Sequence, residues 1–483
     1  MIVMTLDHVG AYAGPDLDTF ADVRALAGER EMIGAGGVRH DADLALAADS
    51  GAYAWLVASA IRDGLHSSRC GTRIVGGVTQ YLCPLLCDDI TLAPTGDQRL
   101  AAPHTACPRL ADSLARFGPQ DANQKPTIDG QSTDLASALS RAGEILSNAR
   151  RPLFGGLATD VAGARALYEL AAHCGAILDH LHGDTLANSN RALQNRGAFF
   201  TTLSEVRSRA DLVIVFACEP SRRYPHFYER IIDEGSATSV VFVGCDIDQA
   251  AWARTSRTES IPQTIDPFDT LALWSAHMES GRPIPAPELV ALTEHISAAK
   301  YTVFIYEPSS LPAPHAALAI EALQRIVKAV NRTVRAGALA LAGDDGALTV
   351  NQAATWLSGF PLRTRVAYGL PLDHDAYRYR TETLLNRREP DALLWVSSFA
   401  PEPLPAALDD TMPAIVLGHP STTLPARTGP TVFIPVATPS INSGGHLFRV
   451  DTSVVAPLAA ARDTGLPSVA TIASRLAQAR RPQ

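Results

Sequence analysis

The sequence of 483 residues has no excess of positive charge, few aromatic side chains and few cysteines. Acidic residues outnumber basic ones by 50 to 41, which argues against nucleic acid as a partner, because proteins that bind nucleic acid present basic faces. No apolar run approaches the ~18–20 residues that span a bilayer, and the N-terminus has Asp7 and His8 where a secretory signal needs a basic head. Seven irregularly spaced cysteines do not suit a disulfide framework. We therefore expect a soluble, cytoplasmic protein with no membrane or nucleic-acid partner.

Hydrophobic residues make up 46% of the chain, enough for a sizeable core, and strand-like and helix-like stretches alternate along it. Near-continuous apolar runs at 211–216 and 239–243 are typical of parallel strands buried on both faces. Apolar residues recur at helical spacing over 316–330, and Ser132-Thr133-Asp134 opens another helix, whose first N–H groups the hydroxyls can accept. Further strands are predicted at 152–154, 176–178, 302–306, 392–396, 414–417 and 431–434. This alternation predicts a doubly wound α/β fold.

The chain is expected to divide into five segments. Residues 1–72 show poor periodicity and predict an extension of uncertain order with little independent structure, although a docking extension is the alternative. Residues 73–130 predict a small β-rich unit with strands at 73–75 and 90–92 and a polar linker at 121–130. Residues 131–300 and 301–420 predict two α/β domains, separated by a break at Pro283, Pro285 and Pro287, and residues 421–483 return to the first of them and end in a helix.

Cysteines cluster near the start of the second segment. Cys83 and Cys87 lie four residues apart, and Cys107 follows twenty residues later. Cysteines in a tight loop can hold an iron–sulfur cluster, but a four-iron cluster normally takes four thiolates, and Gln80 stands where the fourth is expected. On these residues alone the favoured interpretation is that the cysteines are small buried hydrophobic side chains.

The string Leu85-Leu86-Cys87-Asp88-Asp89-Ile90 resembles a motif of the B subunit of formylmethanofuran dehydrogenase, a molybdopterin oxidoreductase. That family's pattern is approximately Cys-x-x-Cys-x-x-x-Cys-Asp-Asp-Ile, followed by an Ala-Cys-x-Leu-Gly segment. Cys83, Cys87 and Cys107 match three of the four cysteines. The similarity continues in the same order over roughly residues 73–460, through stretches at 152–155, 177–179, 192–194, 205–213, 356–361, 381–382, 389–394 and 448–451. The resemblance implies the architecture of formate dehydrogenase and DMSO reductase, with doubly wound sheets and a small β-rich N-terminal unit.

The departures from that family are as informative as the matches. Its metal-binding members have a Cys-His-Gly-Pro segment whose cysteine binds tungsten or molybdenum, and the corresponding first two positions here are Thr185 and Leu186. A threonine hydroxyl is a poor replacement for a soft thiolate. Loss of both the cluster loop and the metal loop resembles the bacterial branch of the family, found in the formyltransferase/hydrolase complex of methylotrophs. We expect Leu181, Leu186 and Phe199 to help fill the former pterin pocket.

The resemblance implies a redox-inactive structural subunit in tetrahydromethanopterin-linked one-carbon metabolism, on the route from formaldehyde to formate. Its partners would be subunits of A, C and D type, which transfer a formyl group to a furan-bearing cofactor and hydrolyse it. We expect this chain to bind no metal or cofactor and to have no catalytic residue of its own. One alternative is an active formylmethanofuran dehydrogenase subunit with molybdopterin, tungsten or molybdenum, and a four-iron cluster. The other is an unrelated nucleotide-binding α/β enzyme.

Two groups of basic residues could bind an anion, such as the polyglutamate tail of that furan cofactor. Solvated surface charge is the favoured alternative for both groups. They are Arg222, Arg223 and His226, which follow the strand ending near Cys218, and Arg378, Arg380, Arg387 and Arg388.

Two short segments after predicted strands could bind other ligands. His180, His182 and Asp184 follow the strand at 176–178, where open α/β sheets bind ligands, and could hold zinc. Gly155 and Gly156 could expose N–H groups to a phosphate. Solvated loop residues and a plain tight turn are the favoured alternatives. No serine lies in a nucleophile elbow, so a hydrolase triad is not expected.

Overall fold

The computed structural model describes residues 2–5, 14–28, 30–56, 83–87, 89–95, 99–262 and 265–479. The chain divides into two compact units, residues 1–76 and 77–483. The strand expected at 73–75, the position of Gln80 and Asp88 lie outside the described residues.

The first unit contains a parallel sheet of three strands. Its elements are β1 (Ile2–Met4), α1 (Leu17–Ala27), β2 (Ile33–Ala35), α2 (Asp41–Asp49) and β3 (Ala54–Leu56), and the strand order is β1-β2-β3. Asp16 caps α1 by accepting the N–H of Thr19, and Phe20 and Met32 are buried in a small core. This unit therefore has secondary structure that the poor periodicity of the sequence did not predict. Whether the rest of the chain folds and assembles without it stays a prediction.

The second unit contains a sheet of nine strands. They are β6 (Thr127–Ile128), β7 (Gln131–Ser132), β8 (Leu153–Ala158), β9 (Ile177–Leu178), β15 (Thr364–Ala367), β16 (Leu370–His374), β17 (Leu393–Ser397), β18 (Ala414–Gly418) and β19 (Thr431–Pro435). The order is β16-β15-β9-β8-β17-β18-β19-β6-β7. The five strands from β9 to β19 in this order are parallel, and every residue of them is buried, which explains their continuous apolar sequences.

A second sheet of the same unit has five parallel strands. They are β10 (Leu212–Phe216), β11 (Ser239–Val243), β12 (Thr258–Ile261), β13 (Tyr301–Tyr306) and β14 (Arg335–Ala340). The order is β12-β11-β10-β13-β14, so β10 pairs with both β11 and β13. The chain adds β11 and β12 on one side of β10, and then β13 and β14 on the other side. Such a reversal of strand order opens a crevice at the carboxyl ends of the strands.

Helices cover both sheets. They are α3 (Pro108–Leu114), α4 (Leu135–Asn148), α5 (Val161–Cys174), α6 (Gly183–Arg196), α7 (Leu203–Arg209), α8 (Pro220–Arg223), α9 (Phe227–Ile231), α10 (Gln249–Trp252), α11 (Pro267–Ser280), α12 (Pro287–Ala298), α13 (Ala316–Val330), α14 (Ala347–Ser358), α15 (Thr381–Asn386) and α16 (Val469–Gln478). Two hairpins complete the unit: β4 (Ala93–Pro94) with β5 (Leu100–Ala101), and β20 (Gly445–Phe448) with β21 (Val455–Leu458). None of the described helices is long and apolar enough to cross a bilayer.

Local predictions were accurate in several elements. The helix expected over 316–330 forms as α13, and α4 begins directly after Ser132-Thr133-Asp134 as expected. Its cap is the Asp134 carboxylate, which accepts the N–H of Ser137 at 2.8 Å, and not a hydroxyl. The apolar runs at 211–216 and 239–243 form the adjacent strands β10 and β11. The α/β fold class is confirmed.

The sheets divide the chain at places other than those predicted. Strands β13 and β14 pair with β10, so the boundary expected at residue 300 falls inside the five-stranded sheet. The prolines at 283–287 only separate α11 from α12, because a proline ends a helix without marking a domain boundary. The stretch at 121–130 is not a linker, since β6 pairs with β19. No strand forms at 90–92.

The two glycines expected in a tight turn lie instead inside β8. Gly156 has a φ of 74°, and a Cβ there would come within 2.5 Å of the carbonyl oxygen of Val396 on the neighbouring strand. The glycine therefore permits close approach of β8 to β17 rather than exposing N–H groups to a phosphate.

Candidate functional site

A cleft of about 610 Å³ opens at the carboxyl end of the five-stranded sheet. We call it the central cleft. Helix α3, the segment after β10, the loop after β14 and the loop after β17 line it. Its charged lining residues are Arg109, Asp112, Arg116, His182, Arg222, Arg223, Asp344, Asp345 and Glu402. It therefore lies where the strand order reverses, the usual place for a ligand in an open α/β sheet.

The loop Gly343–Gly346, which follows β14, connects three parts of the unit at this cleft. Asp344 is nearly buried and pairs with Arg109 at 2.6 Å and with Arg223. Asp345 accepts from Nε2 of His182 at 2.8 Å. Helix α3, the five-stranded sheet and α6 are thus held together by two adjacent carboxylates.

The backbone of that loop explains its two glycines. Asp345 lies in the left-handed region at φ 53°, between Gly343 and Gly346, which also have positive φ. A Cβ on Gly346 would come within 2.4 Å of the carbonyl oxygen of Thr159. A Gly-Asp-Asp-Gly sequence directly after an apolar strand could have predicted this loop, but we did not predict it from the sequence.

The cleft contains two of the three residues predicted to bind an anion after β10. Arg222 is exposed and lines the cleft, and its side chain has no hydrogen-bond or ion-pair partner within the described ranges. Arg223 pairs with both Glu307 and Asp344, which neutralise its charge. His226 lies beside Cys107 and not in the cleft. Arg222 is thus the member of this group whose charge is available to a ligand.

The cysteine segment packs into the hydrophobic core. Burial raises the pKa of the Cys83 thiol to about 12 and raises that of Cys87 as well, so both are protonated at neutral pH. Burial acts to raise the pKa of Cys107, but His226 and the backbone N–H groups of Leu110 and Arg109 together lower it below its ordinary value. Cys107, and then Glu229 at 2.9 Å from Nδ1, raise the pKa of His226 to about 9.

Thr185 and Leu186 lie in the first turns of α6. Leu186 is buried in the core of the nine-stranded sheet, and Thr185 is half-buried beside a separate cavity. Leu181 is half-buried, but Phe199 is 43% exposed and does not fill the interior as expected. The expectation for Phe199 is therefore wrong, and that Leu181 and Leu186 fill a former pterin pocket stays a prediction.

His180, His182 and Asp184 do not converge. Nδ1 of His180 accepts the N–H of His182, so its Nε2 donates to the carbonyl oxygen of Asp345 at 3.1 Å. Burial lowers the pKa of His180 to about 3, so the ring is neutral. Asp184 turns away and pairs with Arg363 at 2.6 Å and with Arg380 at 2.8 Å. These contacts replace the zinc site considered from the sequence.

The second arginine group is also dispersed. Its four members contact different partners: Arg378 lies over the Tyr379 ring, Arg380 pairs with Asp184 and Glu382, Arg387 with Glu389, and Arg388 with Asp409. The pairs of Arg380 with Asp184 and Glu382 are exposed on both sides, and such pairs contribute little to stability, while the carboxylates of Glu389 and Asp409 are half-buried. They do not form a common anion site.

A buried histidine at the end of β18 was not predicted from the sequence. His419 is fully buried, its Nδ1 accepts the N–H of Ser421 at 3.1 Å, and its ring packs on Phe117 with centroids 4.8 Å apart. Burial, and then the charges of Arg116 and Arg462, lower its pKa to about 4. The ring is therefore neutral in the folded protein at neutral pH.

We expect His419 to make the protein less stable in mild acid. The unfolded chain takes up a proton near pH 6.5, whereas the folded chain resists protonation until about pH 4, so the free energy of unfolding falls as the pH drops through this window. Between pH 7 and pH 5 the wild type should lose about 2 kcal/mol more than His419→Asn, whose Oδ1 can replace Nδ1 as acceptor. Thermal unfolding at the two pH values measures this. Equal losses in both proteins would refute it.

Two known proteins are similar to this chain in sequence, although no protein-family model matches it. The chain is 26% identical over 335 residues to the B subunit of the formyltransferase/hydrolase complex Fhc of Methylorubrum extorquens, covering 68% of this chain and 89% of that protein. It is 22% identical over 409 residues to the B subunit of the tungsten-containing formylmethanofuran dehydrogenase 2 of Methanocaldococcus jannaschii, covering 78% and 92%.

A solved structure agrees with these matches. A chain in the crystal structure of the formyltransferase/hydrolase complex (FhcABCD) from Methylorubrum extorquens with methylofuran superposes with a TM-score of 0.65 at 25% identity. The match covers 74% of this chain and 98% of that one. The chain resembles the B subunit of the formyltransferase/hydrolase complex. The resemblance inferred from the cysteine segment and the later motifs is thus confirmed.

The side chains present do not fit the metal centre that the resemblance implies. Where the resemblance aligns the metal-binding cysteine, Thr185 offers a hydroxyl, which is a poor replacement for a soft thiolate. Within the described ranges no three His, Cys, Asp or Glu side chains are grouped so that they could hold a metal ion, and this includes Cys83, Cys87 and Cys107. These residues therefore support no chemical step through such a group.

Proposed function

We propose that the chain is the B subunit of a formyltransferase/hydrolase-type complex in tetrahydromethanopterin-linked conversion of formaldehyde to formate. The observation that carries this proposal is the near-complete match to one chain of the solved complex, 98% of its length at a TM-score of 0.65. The partners would be the A-, C- and D-type subunits. In this role the chain is a structural subunit that neither oxidises nor reduces a substrate.

The ion pairs of the central cleft support a structural role. Asp344 pairs with Arg109 and Arg223, and Asp345 pairs with His182. These contacts connect the walls of the cleft to one another. A site that transferred electrons through a bound metal would need ligands directed inward, whereas these side chains are directed at each other. The second candidate function is an active tungsten or molybdenum subunit, which is favoured by the 22% identity to the tungsten-containing relative.

The surface also supports assembly with other subunits. Large apolar side chains are exposed at the end of α14 and on the edge strand β16, and the Phe360 ring stacks on His374 of that strand with centroids 5.9 Å apart. Contiguous exposed apolar surface marks interaction sites on proteins. The exposed residues are Trp356, Leu357, Phe360, Leu370 and Leu372.

The finer part of the proposal concerns the furan cofactor. The solved FhcABCD structure is a complex with methylofuran. We propose that the exposed Arg222, together with Arg116 on the opposite wall of the cleft, contacts the polyglutamate tail of such a cofactor. Neither arginine forms an ion pair with a described residue, so both can attract a polyanion, and the attraction weakens as salt rises.

Restoring the metal-ligand residues tests the redox-inactive role. We expect the double variant Thr185→Cys, Leu186→His to leave formate production by the assembled complex within about twofold of the wild type, a barrier change under ~0.5 kcal/mol. The reason is that the reaction would take place on other subunits. Leu186 is buried, so the single variant Thr185→Cys serves as the control for packing damage. A new ability to reduce a viologen dye with the formylated cofactor, or its presence in the wild type, would contradict the proposal.

A further inference from the structure

A second cavity lies beside Thr185 and Leu186, between α6, α13, α14 and the end of β14. Its volume is about 190 Å³, and we call it the helical cavity. Leu186, Ile320 and Leu339, all at most 5% exposed, contribute to its apolar wall. An apolar cavity of about 150 Å³ accepts a benzene molecule, so this space suits one ring with a small substituent.

The charges at the helical cavity are already balanced. Among the described residues that line it, Asp451 is the only ionisable side chain other than tyrosine. Its carboxylate pairs with Arg449 at 2.8 Å and accepts the N–H of Leu203 at 3.0 Å. An added anion or cation would therefore be buried without a partner, which costs several kcal/mol or more. This selects for a neutral ligand.

Two amide side chains define the polar part of the helical cavity. Oδ1 of Asn351 accepts the N–H of Leu362 at 3.1 Å and Nδ2 of Asn190 at 3.3 Å, which fixes the orientation of both amides. Nδ2 of Asn351 and Oδ1 of Asn190 then have no hydrogen-bond partner within the described part of the chain. Asn351 is only 7% exposed and lines the helical cavity, so this donor can reach a ligand only from the cavity side. The pair offers one donor and one acceptor side by side.

The mouth of the helical cavity is apolar. Phe200 is 65% exposed and Leu193 is 41% exposed, and both line the cavity at its entrance. Large apolar side chains at the rim of a small cavity are typical of ligand sites, which are lined mostly by apolar groups with a few placed polar ones.

We propose that the helical cavity binds a small neutral ligand that carries one ring and a carboxamide or formamide group. Its carbonyl oxygen would accept from Nδ2 of Asn351 and its N–H would donate to Oδ1 of Asn190, while the ring lies among Leu186, Ile320 and Leu339. This inference does not rest on the proposed function, because it concerns the chain alone.

The test measures binding of three probes of similar size to the purified full chain by calorimetry or ligand-observed NMR. Benzamide should bind with a Kd of about 1 mM or tighter, a modest value for nine heavy atoms. Benzoate and benzylamine should bind at least tenfold more weakly, since each would bury an unpaired charge. Equal affinity for the three probes, or no binding of benzamide, would overturn the proposal.

Two variants locate the binding site. Ser189→Leu places a larger side chain in the helical cavity and should abolish benzamide binding, while Gln194→Leu, on the exposed face of the same helix, should leave it unchanged. Asn190→Leu preserves the helix but removes the hydrogen-bond acceptor. It should weaken the binding of benzamide at least fivefold and change the affinity for toluene little. Benzamide binding that survives in a folded Ser189→Leu protein, or that is lost in Gln194→Leu, would contradict this location.

Discussion

Replacing Asp179 with alanine is expected to destabilise the protein by about 3 kcal/mol, the largest effect of a single substitution that we predict. Asp179 is 1% exposed and accepts from Nε of Arg363 at 3.1 Å. It also accepts the N–H and the hydroxyl of Thr381, both at 2.8 Å, and the N–H of His180 at 3.0 Å. In the alanine variant Arg363, which is 4% exposed, would carry a buried charge without its main carboxylate partner.

Asp184→Ala is the matched control for Asp179→Ala. Asp184 pairs with the same Arg363, at 2.6 Å, but its side chain is 54% exposed. An exposed partner contributes at most about 1 kcal/mol. Thermal unfolding should therefore show a fall in midpoint of about 3 °C for Asp179→Ala and of about 1 °C or less for Asp184→Ala. Equal shifts would show that the buried carboxylate has no special role.

Asp344→Ala is expected to cost about 2 kcal/mol and to change the central cleft. Asp344 is the shared partner of Arg109 and Arg223. Burial acts to lower the pKa values of both arginines, but the surrounding groups, with Asp344 the largest among them, together raise these values above the ordinary one. We expect a smaller loss of stability than for Asp179→Ala because these arginines are partly exposed and Arg223 would still pair with Glu307 in the variant.

The measurement for Asp344→Ala is again the unfolding midpoint, with Asp112→Ala as control. Asp112 is an exposed carboxylate of the same cleft and forms no ion pair among the described residues. It should change stability by less than about 0.5 kcal/mol. A stable Asp344→Ala protein would mean that the loop Gly343–Gly346 does not hold the three parts of the unit together.

Local order was predictable where the sequence pattern is strong. Helix α13 and the strands β10 and β11 follow from helical spacing and continuous apolar runs, which depend on neighbouring residues only. The pairing of β13 with β10 was not predictable in this way, because the two strands are about 90 residues apart and partner choice depends on the whole sheet. The domain boundary expected at the three prolines near residue 285 was wrong for the same reason, because strand pairing and not local sequence decides which segments share a sheet.

The candidate site was predictable only in part. Arg222 and Arg223 were identified because they follow a predicted strand, at the end of the sheet where ligands bind. Asp344 and Asp345 were missed, since their partners Arg109, Arg223 and His182 are more than 100 residues away in sequence. His419 was missed because its unusual pKa comes from burial, which a single histidine in the sequence does not reveal.

The central claim is that the chain is a structural B-type subunit without a redox centre of its own. The most direct measurement is affinity purification of the tagged full chain from its own cells under anaerobic conditions, followed by identification of co-purifying subunits and metal analysis. We predict A-, C- and D-type subunits of a formyltransferase/hydrolase complex, with far less than one tungsten or molybdenum per chain. Stoichiometric tungsten or molybdenum together with about four irons assigned to this chain would contradict the claim.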